Sequence, residues 1–173
     1  MAVYGKSFGA QVDGWCKETE GRMTAVFRQA AHDVINKAQE NAPYSTGFLK
    51  ASLIVALNSP VPPAIRVKPE GEGQAYQAPN ISAVIATAKL GDTISAGWTA
   101  AHALPQEYGS RPHKIRPKNK QALHWRTPGG KGVFATEVDH PGNPPTAFVR
   151  RAVAEWPQIV NAVVARARSR AGQ

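Results

Sequence analysis

The chain has 173 residues, a formal net charge of +9 and one cysteine, Cys16. That length suits one domain, residues 1–173, able to bury roughly two thirds of its unfolded surface without a disulfide or metal staple. An internal disulfide is excluded, and the lone thiol fits a reducing compartment. The start MAVYGKSFGA lacks the apolar core of a signal peptide, and no run is long enough for a membrane span.

Residues 1–12 read as an N-terminal arm. A helix follows, with Asp13 as its N-cap and Asn41 before Pro43 as its stop signal. Met23, Val26, Phe27, Ala30, Ala31, Val34, Ile35 and Ala38 recur at the helical period and give one apolar stripe. Burial of Phe27, Val34 and Ile35 is expected to contribute roughly 1.5–3 kcal/mol each. Gly21 marks a bend or a later start.

A turn over residues 44–52 leads to a short strand, Leu53 to Leu57. Residues 58–80 hold five prolines and a Glu-Gly-Glu-Gly stretch and predict a long, mobile, exposed loop. Ile81 to Ala88 and Thr93 to Trp98 read as a hairpin turning at Leu90-Gly91-Asp92. Ala100 to Tyr108 fits a short helix limited by Pro105. Further strand signals lie at Ile115, Leu123–Arg126 and Val133–Val138, in what reads as a β-meander with a turn at Pro128-Gly129-Gly130. Thr146 is placed as the cap of a final helix, interrupted at Pro157. The expected fold is α+β: a small antiparallel β-sheet flanked by a long N-terminal helix and a C-terminal helix, with a long Pro/Gly-rich loop.

Catalytic signatures are not found. The five histidines lack metal-ligand spacing, and no cofactor is expected. Pro128-Gly129-Gly130-Lys131-Gly132 departs from the phosphate-loop pattern and suits a hairpin turn. Asp139 and His140, adjacent in a strand, point to opposite faces and make a poor acid/base pair. The chain therefore reads as a non-enzyme.

Charge is unevenly placed. Residues 1–107 hold nine Lys/Arg against nine Asp/Glu, whereas residues 108–173 hold twelve against three. Arg111, His113, Lys114, Arg116, Lys118 and Lys120 form a cationic strip. Lys114, Arg116, Lys118 and Lys120 alternate, so an extended segment projects them from one face with Ile115 opposite. Such a row suits a phosphate backbone, as in a small basic DNA-binding module. It better suits a solvated edge strand, which Pro112 and Pro117 protect from further pairing.

Several fragments carry a family resemblance. They are Thr46-Gly47-Phe48-Leu49-Lys50-Ala51-Ser52; Ala103-Leu104-Pro105-Gln106-Glu107-Tyr108-Gly109; His113 to Lys118; Ala122-Leu123; Val138-Asp139-His140-Pro141-Gly142; and the Ala147-Phe148 helix start. In this order they resemble the neck or tail-completion proteins of long-tailed bacteriophages, the family labelled minor tail component. Ala101-His102-Ala103 stands where that family has Tyr-Ala, and the 58–80 loop is longer than its usual one.

The resemblance implies a structural virion protein at the head–tail junction, made in the bacterial cytoplasm. It implies a homo-oligomeric ring of six that caps the tail tube and permits joining to the DNA-filled head. Its implied partners are other copies of itself, the tail-tube protein, a head-completion or connector protein and DNA passing through the lumen, with no membrane. The resemblance marks Thr46, Gly47, Leu49, Glu107, Gly109, His140, Pro141, Gly142 and Phe148 as structural positions. Ring formation demands head-to-tail contacts that close by rotation.

Overall fold

The computed structural model describes residues 7–45, 47–63, 79–118 and 120–171. The chain mixes helices with short antiparallel strands, four of the strands running in succession before the C-terminal helices, so the fold is α+β. It divides into two compact units: residues 1–103 with 148–173, and residues 104–147.

Helix α1 runs over Phe8–Asn41, 34 residues without interruption. Its start differs from the sequence expectation. Ser7, not Asp13, is the N-cap, its hydroxyl accepting from the Ala10 N–H, so residues 8–12 of the expected arm are helical. Gly21 is not a later start, because the helix runs through it without interruption. The stop is as expected: Ala42 turns extended before Pro43, where a helical residue would clash with the proline ring.

Helix α2 (Phe48–Ala51) is a single turn leading into β1 (Leu53–Leu57), which pairs antiparallel with β2 (Ile94–Trp98) from Leu53↔Trp98 to Leu57↔Ile94. The expected hairpin between 81–88 and 93–98 is therefore not formed. Ser82–Thr87 is instead helix α3. Ile81, Ile85 and Ala88, spaced four and three apart, are its buried positions, so the helical period won over β-branched content. Asn80 assists by accepting the Ser82 N–H on its side-chain oxygen. Much of the predicted 58–80 loop, residues 64–78, lies outside the described residues.

At the open end of the β1–β2 ribbon, Asn58 adopts φ 55 and ties both strands together. Its amide donates to Asp92 at 2.8 Å and its carbonyl accepts from the Thr93 N–H at 2.8 Å. That amide first, and the Lys89 N–H second, hold the Asp92 carboxyl below its ordinary value.

The C-terminal helical stretch breaks into α5 (Phe148–Ala154) and α6 (Trp156–Ala171). The break falls at Glu155, so Pro157 sits in the first turn of α6, where its missing N–H costs nothing. Thr146 does not cap α5. Its hydroxyl donates to the Gln106 carbonyl at 2.7 Å.

Both helices pack along α1. Lys37 pairs with Glu155 at 3.1 Å and Asp33 with Arg166 at 2.7 Å, so α6 runs back toward the N-terminal half of α1. Two buried clusters form the core, one of Ile35, Leu53, Ile81 and Ile85, the other of Ala42, Leu49, Ala100, Ala103 and Phe148. Trp98 packs against both, meeting Phe148 edge-on with ring centres 5.1 Å apart.

Candidate assembly surface

Unit two begins within α4 (Ala103–Tyr108) and contains β3 (His113–Ile115), β4 (Leu123–Arg126), β5 (Gly132–Ala135) and β6 (Val138–His140). The expected meander is corrected here. β4 pairs with β5, and β3 pairs with β6 outside them, giving nested ribbons rather than successive neighbours. With β1–β2, the described strands form three separate two-stranded ribbons rather than one sheet.

The inner ribbon turns through the glycine-rich segment. The Thr127 N–H donates to the Lys131 carbonyl at 2.9 Å, and the Gly130 N–H to the Thr127 carbonyl at 2.8 Å. This is a hairpin turn, as its departure from phosphate-loop spacing predicts.

The base of the outer ribbon joins two resemblance fragments that lie far apart in sequence. Ser110 and Asn143 form an isolated bridge, with the Ser110 N–H donating to the Asn143 carbonyl at 2.9 Å. Gly109 (φ 79) and Gly142 (φ 84) flank it. A Cβ on Gly109 would lie 2.8 Å from the Asn143 carbonyl oxygen, so the close approach and the left-handed backbone both require glycine. Glu107 is 6% exposed and Pro141 is exposed. Among the remaining resemblance positions, Gly47 (φ 84) is the N-cap of α2, Leu49 and Phe148 are buried in unit one, and Thr46 lies outside the described residues. Those positions are thus divided between two units.

On the outer ribbon, His113 and His140 are register partners whose rings stack with centres 4.9 Å apart. The hydrogen bonds set opposite tautomers. His113 Nδ1 donates to the Arg111 carbonyl at 2.9 Å, whereas His140 Nδ1 accepts the Gly142 N–H at 3.0 Å. Asp139 lies opposite Lys114 in the register while His140 stacks on His113, so the adjacent pair shares no proton path.

The cationic strip is less bare than its sequence suggests. Lys114 donates to Glu137 and lies 3.7 Å from Asp139, and Arg116 Nε donates to the other Glu137 oxygen. Those two bonds, Lys114 first, hold the Glu137 carboxyl below its ordinary range. Arg111, Lys118 and Lys120 are exposed, and no ion pair to them occurs among the described residues. The strand itself covers only residues 113–115, so Lys118 and Lys120 stand beyond β3.

Sequence reading missed Glu137 as the neutralising group. The signal was present: pairing β3 with β6 brings the carboxylates of Glu137 and Asp139 against Lys114. Reading Val133–Val138 as one strand hid it, because Thr136 and Glu137 separate two strands. Among the described residues, no three His, Cys, Asp or Glu side chains are grouped to hold a metal ion, and no helix is long and apolar enough to cross a membrane. No family model, curated protein or solved structure matches this chain, so its function has to be argued from its own residues.

Proposed function

We propose that this chain is a structural protein of a phage virion, acting in tail completion at the head–tail junction. One observation carries the reading: fragments resembling that family occur in its order and occupy positions where the backbone needs them. Gly47, Gly109 and Gly142 have left-handed backbones, and Leu49 and Phe148 fill the core of unit one. In this role the protein forms a ring, six copies around the DNA path. One face meets the tail-tube protein and the other a head-completion or connector protein. The work is positional, with no bond made or broken. Deleting the gene from its phage is expected to leave filled heads and separate tails in micrographs; normal infectious particles would overturn the reading.

A second reading, a small basic DNA-binding module, is favoured by the exposed cations Arg111, Lys118 and Lys120. It is weakened by Glu137, which engages Lys114 and Arg116 and leaves fewer charges for phosphates.

A further inference from the structure

Helix α1 is longer than the body it packs against. From Ser7 to Met23 every residue is exposed except half-buried Thr19. Lys17, Glu20 and Gly21 already border a hollow with Lys89 and Leu90, so at 1.5 Å per residue it is Phe8 to Cys16 that projects, by about 12 Å. Phe8, Val12, Trp15, Thr19 and Met23 follow one another at spacings of four, three, four and four, on the face that Val26 and Ala30 continue into the body. Phe8 is 82% exposed and Trp15 67%. The N-terminal end of α1 thus carries an uncovered apolar stripe.

A groove on the same unit has matching chemistry. Met23, Val26 and Phe27 of α1 face Val160 and Val164 of α6 across a cavity of ≈ 490 Å³. A smaller apolar cavity adjoins it at Phe27 and Trp156. Arg168 of α6, a helix with no acid, lines this groove beside Arg22, while Arg166 and Arg170 border a separate hollow and Arg166 pairs with Asp33. Around the projecting segment, Glu18 is taken by Arg22, which leaves Asp13 and Glu20 against Lys17, in a chain that is basic as a whole.

We propose that the projecting N-terminal end of α1 docks into the α1–α6 groove of a second copy of this chain. The segment cannot reach its own groove, because α1 is a continuous helix that carries it away. Two projecting segments packed on each other would set acid against acid; docking head to tail sets acid against arginine. Such a contact is heterologous, so it propagates until it closes into a ring or runs on as a filament. Closure into a ring rests on the function proposed above, but the contact itself does not.

The test uses the full chain. Wild-type protein is expected to sediment as an oligomer, and Trp15→Asp as a monomer with unchanged helical circular dichroism. Asp13→Arg/Glu20→Arg and Arg168→Glu/Arg170→Glu are each expected to be monomeric, and their mixture to associate through the swapped charges. Wild-type chains mixed with Cys16→Ser/Arg168→Cys chains are expected to yield a mixed dimer with a thiol-specific cross-linker. A monomeric wild type overturns the proposal, as does cross-linking only between Cys16 and Cys16, which marks symmetric helix pairing. Neither result touches the phage deletion experiment, whose own failure would leave this contact standing.

Discussion

A Cβ placed on Gly142 would stand 2.2 Å from the carbonyl oxygen of Ser110, closer than any side chain tolerates. Gly142→Ala therefore has to push the two loops of unit two apart, and must also hold a left-handed backbone at about 1–2 kcal/mol. The Ser110 and Asn143 amides are expected to lose hydrogen-exchange protection while those of α1 keep theirs. Unchanged protection at Ser110 would contradict the packing described.

Gln39 serves two orphan groups at once. Its side-chain oxygen accepts the Trp98 indole N–H at 2.9 Å, and its amide donates to the Lys50 carbonyl at 2.9 Å. Gln39→Ala strands both, and leaving a part-buried polar group unpaired costs about 1–3 kcal/mol. A urea midpoint lowered with unchanged slope is the expected result, with Gln39→Glu recovering only the indole bond.

The Glu137 carboxyl is held low by Lys114 and then Arg116. A depressed folded value means the carboxylate favours the folded ribbon above the ordinary glutamate range, about pH 4.3, and this support is lost as pH falls through the folded value. Carbon-detected NMR titration is expected to place Glu137 below ordinary glutamates. Lys114→Ala should raise its midpoint, and more than Arg116→Ala does. An ordinary midpoint in the wild type would remove the pairing from solution.

Contact with DNA through the strip is limited to the cations that Glu137 leaves available. If Arg111, Lys118 and Lys120 alone meet phosphates, log affinity falls with log salt at a slope no steeper than about −3. Glu137→Gln frees Arg116 and leaves Lys114 only Asp139 at 3.7 Å, and the slope is expected to steepen. Fluorescence anisotropy with a short duplex across a salt series measures both. A steeper wild-type slope would show that other basic residues join the contact.

Local signals made much of unit one legible. The apolar period of α1, the Pro43 stop and the Leu53–Leu57 strand all appear as read. Most of the failures share a cause, since they depended on which distant segment came alongside; the start of α1 is the local exception. Ile81 to Ala88 satisfies both strand content and helical spacing, and only burial of Ile81, Ile85 and Ala88 decides between them. Asp13 and Thr146 are good caps by type, yet Ser7 comes earlier and the Gln106 carbonyl takes the Thr146 hydroxyl. At the candidate surface, the cations were visible but the neutralising Glu137 was not, because its position depends on β3 pairing with β6 rather than with β4.

That nesting also implies an order of formation. Arg126 and Gly132 are joined by the short turn 127–131, whereas Ile115 and Val138 must meet across everything from 116 to 137. Closing the outer pair first would confine the whole intervening chain; closing it after β4 and β5 have met shortens the free length and the entropy lost. The ribbons should therefore zip from the tip inward. Substitutions near Gly130 then slow folding, whereas changes at His113 or His140 chiefly hasten unfolding.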